Sequence, residues 1–578
     1  MGRTIGIDLG TTNSAMAVLE GGEPVIVANA EGKRTTPSVV AFTKKGETIV
    51  GDVAYRQAVT NANRTFKSAK RQMGTDWKSD DIDSKQYRAE EIGARVLMKL
   101  KEDAEAYLGE DVTNAIITVP AYFNDSERQA TKNAGDIAGL TVDRVINEPT
   151  AAALAYGLDK ESDQIILVYD LGGGTFDVSL LEIGDGYIEV KSTTGDNKLG
   201  GDDWDGALAD WIVQSFKDES GQDISNDFAA MSRVREAAEN AKKELSSTDQ
   251  TNISLPYLAV DEGTPVSFEA ELSRAEFEDL TRDLLERTRG PVETVLKDAE
   301  VDVKDVNQVI LVGGSTRMPA INDLVKDLTG KDPNRTVNPD EVVALGACLQ
   351  GGIKTGEVKE MVLIDVTSLT LGVSASGGMM VPLIEKGTAM PCRGTKTFTT
   401  AEDSQNNVNV EVYQGERALA KDNKKLGQFE LSNIPPAPAG VPQIEVVFDI
   451  DVNGILNVTA KDHASGTTQK VTVTGSTGLG DAEVQSAMAD AAAHAEDDKR
   501  LKEEVSLKNR ARTLISQSER LVKEHGDKPG EDKRKALEEA VGRLKGKLDN
   551  SSVEELTKDT DALSDASQAY GAGLYSSS

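Results

Sequence analysis

Two segments of the chain place an acid, glycines and hydroxyl side chains directly after a short apolar run. Asp8-Leu9-Gly10-Thr11-Thr12-Asn13-Ser14 follows one, and Asp170-Leu171-Gly172-Gly173-Gly174-Thr175-Phe176-Asp177 follows another. Glycines let backbone N–H groups come close to a phosphate, and threonine hydroxyls add donors. An acid at the head of each segment suits Mg²⁺, which keeps most of its water shell and is held through it. Two such turns facing each other would clamp a polyphosphate between two halves of a domain. Either turn alone is weak evidence; their recurrence carries the inference. No GxxxxGK[ST] segment occurs, so this is not a P-loop enzyme. A third turn, Val312-Gly313-Gly314-Ser315-Thr316-Arg317, could carry a nucleoside, with Arg317 over the base.

Such turns need strands to hold them. β-branched runs at residues 4–8, 115–119, 165–170 and 309–312 alternate with helical patterns. One helix is expected over 126–138, opened by Asn124-Asp125-Ser126 as caps, and another over 233–245. Strands interleaved with helices indicate an α/β domain over residues 1–355. Residues 356–365 read as a linker, with the apolar Met361–Ile364 set between acids. From 366 to about 480 the texture becomes all-β. Val408, Val410 and Val412 alternate with polar residues, and Asn453-Gly454 between two apolar runs is a hairpin signal. Residues 481–570 are rich in Ala, Glu, Asp and Lys, with Leu514, Leu521, Leu537, Val541, Leu544 and Leu548 at helical spacing. Ser552 and Glu555 form a capping box for a last helix. Residues 571–578 read as a disordered polar tail.

Composition excludes several classes. The 578 residues carry 64 Lys plus Arg against 97 Asp plus Glu, a net charge of −33. That charge argues against nucleic acid and against docking on anionic lipid. No apolar run reaches the roughly 18 residues of a membrane span. Two cysteines make no disulfide framework and three histidines no His-rich metal site. An acid at Asp8, where a signal peptide carries its apolar stretch, completes the expectation of a cytoplasmic protein.

Further segments carry a resemblance. Val119-Pro120-Ala121-Tyr122-Phe123-Asn124-Asp125, Ile146-Asn147-Glu148-Pro149-Thr150-Ala151 and Gly454-Ile455-Leu456-Asn457-Val458 join the three glycine turns. Together they resemble the 70-kilodalton heat-shock chaperones, and the bacterial DnaK-type members most, over essentially the whole chain. The resemblance implies an actin-like ATPase domain, a linker, a β-sandwich that binds extended peptides, and a helical lid. It implies ATP/ADP and Mg²⁺ as cofactors, with K⁺ a further candidate. The implied partners are unfolded polypeptides, a J-domain co-chaperone and a GrpE-type exchange factor.

By the same resemblance, Asp8 and Asp170 hold the Mg²⁺ shell, Gly10, Thr11, Thr12 and Asn13 the first phosphate loop, and Gly172, Gly173, Gly174 and Thr175 the second. Lys70 contacts the γ-phosphate, Glu148 and Asp177 order the water and metal, and Thr175 is an autophosphorylation site. Glu239, Lys242, Lys243, Ser246, Gly314, Ser315, Arg317 and Asp340 hold the adenosine. On residue types alone, Lys70 reads as a solvated lysine, and Glu239 with Lys242 and Lys243 as helix ion pairs. Pro120, Arg128, Val362, Leu363 and Asp365 are implied to couple the domains. Val362 and Leu363 are expected to bury on docking. Val373, Phe398, Ala401, Val408 and Val410 are implied to line the peptide cleft, although alternation alone makes the valines core residues.

The chain departs from the family at Ser368, Ser376, Ala439 and Glu360. Ala439 and Arg512 take the two positions of the family's lid latch and form no ion pair there. Actin-like filament proteins and sugar kinases share the ATPase fold, but they need no second, Val-rich β domain.

Overall fold

Alternate residues of strand Gln164–Leu171 enter two different cores: Leu167, Tyr169 and Leu171 on one face, Ile166 and Val168 on the other. A strand apolar on both faces belongs inside a sheet covered on both sides. The computed structural model describes residues 3–44, 47–157, 163–184, 186–261, 264–334, 336–358, 361–472, 507–508, 510–548 and 551–576.

The α/β stretch before the linker contains the same device twice. In the first sheet Glu23–Ile26, Asn13–Glu20, Arg3–Asp8, Val112–Val119 and Thr141–Asn147 are neighbours in that order. The first three run antiparallel, and the last two add in parallel. In the second sheet Tyr187–Asp196, Phe176–Gly184, Gln164–Leu171 and Gln308–Val312 repeat that order and those directions. Each glycine turn therefore joins the first strand of a half to its second. Helices Glu148–Gly157 and Val342–Thr355 pack together between the halves. Their approach is close: a Cβ at Gly346 would lie 1.8 Å from the Ala151 carbonyl oxygen.

The expected helix after Val119 spans Asp125–Ile137. Asn124 Oδ1 accepts from Glu127 N (3.2 Å) and Glu127 returns the bond to Asn124 N (2.7 Å), a complete capping box. The helix expected from residue 233 begins earlier, at Phe228, because Asp227 caps it by accepting from Ala229 N and Ala230 N.

The linker is a strand, Val362–Val366. It pairs in parallel with Tyr187–Asp196 of the nucleotide domain and antiparallel with Ala389–Met390 of the β domain. One sheet thus runs through both domains. Leu363 packs against the nucleotide-domain core while Val362 stays 52 % exposed. This corrects the expectation that both bury, because successive residues of a strand face opposite sides.

The β domain is a sandwich of two antiparallel four-stranded sheets. One orders Met380–Ile384, Leu371–Ser374, Asn407–Gln414 and Lys424–Ser432; the other Cys392–Phe398, Ile444–Ile450, Leu456–Asp462 and Thr468–Thr472. Val373, Val410, Val412, Leu426, Val446, Phe448 and Val458 fill the space between them. The Asn-Gly signal marks a real hairpin, with Gly454 at φ +76°.

Helices at residues 510–525, Glu531–Lys547 and Val553–Ser576 share a core that includes all six leucine and valine positions named from spacing. Ser552 Oγ caps the last helix at Glu555 N (3.3 Å). That helix carries residues 571–576, where the sequence reading expects a disordered tail. Gly573 seats against Pro529 and Leu574 packs on the bundle, which holds the end in place. Residues 473–506, the end of the expected β domain and the first part of the expected lid, lie outside the described residues. Among the described residues no helix is long and apolar enough to cross a membrane.

Candidate functional site

The two glycine turns meet face to face. A Cβ at Gly173 would lie 1.8 Å from Thr12 Oγ1, and one at Gly174 2.6 Å from Thr11 Cγ2. Only glycine permits that approach. Within the turns, a Cβ at Gly10 would collide with Asn13 O, and Gly172 N donates to Thr175 O (3.0 Å). The third turn leans on the second through Ser315 Oγ, which donates to Gly172 O (2.8 Å).

Between the halves opens a cleft of about 390 Å³, the size of a small-molecule site. Asp8, Gly10, Thr11, Thr12, Asn13, Lys70, Glu148, Asp170, Gly172, Gly173 and Thr175 line one end. Glu239, Lys242, Lys243, Ser246, Gly314, Ser315, Arg317 and Asp340 line the other. Gly174 and Asp177 stand just behind. Residues far apart in sequence therefore come together around one cleft.

Lys70 Nζ meets Glu148 Oε1 at 2.6 Å, with both side chains buried. Lys70 is thus not the solvated lysine its neighbours in sequence indicate. Around this pair stand three more acids. Burial, with Glu148 next, pushes the Asp8 carboxyl up to about 7 and Asp177 to about 8, and holds Asp170 well above the usual carboxylate range; Lys70 opposes all three. Asp177 Oδ1 accepts from Tyr122 N (3.1 Å), while its buried Oδ2 has no partner among the described residues. A pocket with this excess of carboxylate fits a divalent cation. Among the described residues no three acids converge as direct metal ligands, so Asp8 and Asp170 suit a hydrated Mg²⁺.

At the far end Lys243 pairs with Glu239 one turn away (2.5 Å), the ion pair that spacing alone indicates. Lys242 instead reaches Asp205 (2.8 Å) and Gly201 O (3.0 Å) on a neighbouring helix. Arg317 is held by Asp340 (2.6 Å). Three cross-cleft contacts are not among the residues singled out from sequence. Tyr55 OH donates to Glu239 (3.0 Å), Arg34 forks onto Glu341 (2.6 and 2.8 Å), and Arg71 bonds Gly174 O (3.1 Å) and Asp203 (2.5 Å). Their partners lie 103 to 307 residues away, beyond any local pattern; the adjacency of Arg71 to Lys70 was the one available signal.

A second cavity lies in the β domain. Val373, Phe398, Ala401, Val408 and Val410 line it together, with Ile444 and Val446. Val373 and Val410 are also core residues, as the alternation indicates. Ser376 stands exposed on its wall, and Gln405 Oε1 fixes Ala401 N (3.0 Å).

The segment from Pro120 to Arg128 joins the cleft to the linker. Phe123 N closes a turn on Pro120 O (3.1 Å), and Tyr122 N reaches Asp177. Arg128 is buried and donates to Ala121 O (3.1 Å), Phe123 O (3.0 Å) and Asn147 Oδ1 (2.6 Å). Asn147 Nδ2 then donates to Asp365 Oδ2 (2.5 Å), which also accepts from Thr150 Oγ1 (3.3 Å). Asn147 and Thr150 flank Glu148, so the motif that supplies the cleft acid also grips the linker.

The Hsp70 protein family model matches residues 4–86 and 79–576. The chain belongs to the Hsp70 family. Members of this family are ATP-dependent chaperones; they are ATPases that use nucleotide with Mg²⁺ and bind unfolded polypeptides and co-chaperones. The mixed α/β sheets, β-sandwich and C-terminal helices of this Hsp70 chain agree with the family layout.

Proposed function

We propose that the chain is an ATP-driven chaperone that binds and releases extended hydrophobic segments, with the peptide cleft governed by the nucleotide through the linker. The domains are 1–355, linker 356–365, β-sandwich 366–480 and helical lid 481–570. The observation that carries this reading is the linker strand, shared between the nucleotide-domain sheet and the β domain.

In the cleft, backbone N–H groups and hydroxyls of Gly10–Asn13 and Gly172–Thr175 cradle the phosphates. Asp8 and Asp170 hold Mg²⁺ through water, and the ion supplies charge neutralisation for phosphoryl transfer. Lys70 turns from Glu148 to the γ-phosphate, leaving Glu148 and Asp177 to orient the attacking water. Phosphoryl transfer needs this positioning and charge more than covalent chemistry. Thr175, beside the γ-phosphate position, is the site of autophosphorylation. Glu239, Lys242, Lys243, Ser246, Gly314, Ser315, Arg317 and Asp340 hold the adenosine. Arg128, Asn147 and Asp365 transmit cleft occupancy to the linker. Val373, Phe398, Ala401, Val408 and Val410 receive a Leu, Ile or Val side chain, with sheet-like backbone bonds giving sequence tolerance. A J-domain co-chaperone and a GrpE-type exchange factor complete the cycle in a bacterial cytoplasm.

The test is steady-state ATP turnover with and without an unfolded peptide and a J-domain protein. Stimulation by both is expected. Turnover indifferent to peptide, or raised by a sugar instead, would overturn the reading.

A further inference from the structure

The contact between the two domains buries an acid that neither the nucleotide cleft nor the peptide cleft uses. Asp125 opens helix Asp125–Ile137 and is 6 % exposed. Its Oδ1 accepts from the backbone N–H of Leu456, across the interface in the β domain (2.5 Å). Its Oδ2 is buried with no hydrogen-bond partner among the described residues.

Few charges face it. Arg128, on its own helix, and Lys424, on the β-domain strand Lys424–Ser432, favour the ionised form; Asp451, in the hairpin turn, opposes it. Arg128 spends its N–H groups on Ala121, Phe123 and Asn147. The helix N-terminus favours an anion whether the domains are joined or apart, so that effect cancels on docking. What docking adds is the cover of Leu456 and the hairpin turn. A carboxylate stripped of water with one oxygen unmatched is unfavourable, and such a group takes a proton instead.

From this geometry we infer that seating the β domain on the nucleotide domain takes up a proton at Asp125, so that docking is a proton-linked step. The inference rests on the docking cycle proposed above and adds a control to it. Burial, ahead of every other influence, pushes the Asp125 carboxyl from 3.8 up to about 7. With the domains apart the carboxyl returns toward the ordinary range. Between those values the docked form holds the proton and the separated form does not. Docking therefore weakens as pH rises through that window and levels off above it. Between pH 6 and pH 8 the docking equilibrium falls about tenfold. Burial raises Asp365, the other buried acid of the interface, as well, but its oxygens are matched by Asn147, Thr150 and the Val366 N–H, with Arg128 and Arg144 opposing the rise. A substitution at Asp125 alone separates the two.

The test uses the full chain with ATP, carrying a donor dye on the nucleotide domain and an acceptor on the β domain. Energy transfer is read from pH 6 to pH 8. The ratio of docked to undocked wild type, taken from that transfer, should fall by the stated factor. Asp125→Asn keeps an acceptor for Leu456 and cannot ionise, so its docking should depend on pH much less steeply than wild type, any remaining slope belonging to Asp365. Calorimetry of ATP addition at pH 7, in buffers of different ionisation enthalpy, gives an independent count should Asp125→Asn fail to dock. The wild type should take up about half a proton more than Leu363→Asp, whose linker strand cannot seat. Wild-type docking indifferent to pH, an Asp125→Asn slope equal to wild type, or equal proton uptake by wild type and Leu363→Asp would each overturn the inference. Leu363→Asp docking as well as wild type would instead overturn the docking cycle itself.

Discussion

Lys70 is one cation among three buried acids and the half-buried Asp8, and its partner Glu148 is 78 residues away. The two satisfy each other at 2.6 Å. In the proposed cycle a triphosphate entering the cleft would compete for that lysine and free Glu148 to act on water. Lys70→Ala should cut single-turnover hydrolysis by roughly 10²–10³, the loss of one transition-state charge contact of about 2.7–4 kcal/mol, with nucleotide binding retained. A rate within a few-fold of wild type removes Lys70 from the chemistry. Residue roles of this kind were only partly legible in the sequence. The glycine turns announce themselves because phosphate-cradling chemistry is local to a few residues. Lys70 by itself looks like a surface lysine, since burial is made by distant chain. Tyr55 and Arg34 had no local signature, and Arg71 had only its place beside Lys70, because each matters through a partner on the other half of the cleft.

Elements were more legible, since their signals are periodic and short-ranged. The Asn-Gly hairpin, the alternating strand Asn407–Gln414 and the capped helix Asp125–Ile137 lie where the patterns put them. The linker is different: an apolar tetrapeptide says only that it wants a surface, and its pairing depends on which edge is free. It takes the open edge of Tyr187–Asp196, with Leu363 directed to the core and Val362 away from it. Leu363→Asp should leave ATP binding intact and erase both peptide stimulation of the ATPase and ATP-induced peptide release. Val362→Asp, on the exposed face, should be milder. If both responses persist in Leu363→Asp, the linker is a passive tether. The helices between the two halves admit a second check. Gly346→Ala sets a methyl against the Ala151 backbone, an overpacking worth about 1–3 kcal/mol. The nucleotide domain should melt at lower temperature in calorimetry, while the β domain transition stays put.

At the scale of the whole molecule, the hairpin turn of the β domain reaches the edge strand of the first nucleotide-domain sheet. Thr141–Asn147 ends that sheet, so its outward N–H groups need cover. Asn453 Oδ1 accepts one of them, Val145 N, at 3.0 Å. The turn is shaped for this before contact: Asp451 Oδ1 accepts from Asn453 N (2.8 Å) and Ile455 N (3.0 Å). Lys386 adds an ion pair with Asp298 at a second point of contact (2.5 Å). The dipeptide that reads from sequence as a hairpin signal thus also serves as an interdomain contact. Local pattern reveals the first role, and only the assembled domains reveal the second. Asn453→Ala removes the acceptor and leaves Val145 N–H uncovered in the docked form alone. An unmatched buried donor costs about 1–3 kcal/mol, so docking should weaken by roughly 5- to 150-fold. The ATPase chemistry does not use this side chain, and within the sandwich its Nδ2 makes one long bond, to Asp451 Oδ2 (3.3 Å), in a turn that the Asp451 Oδ1 bonds also hold. Single-turnover hydrolysis and thermal stability of the β domain should therefore match wild type, while ATP-driven release of a fluorescent peptide slows. Unchanged release kinetics would mean that the linker strand and the Lys386–Asp298 pair hold the domains together without the hairpin.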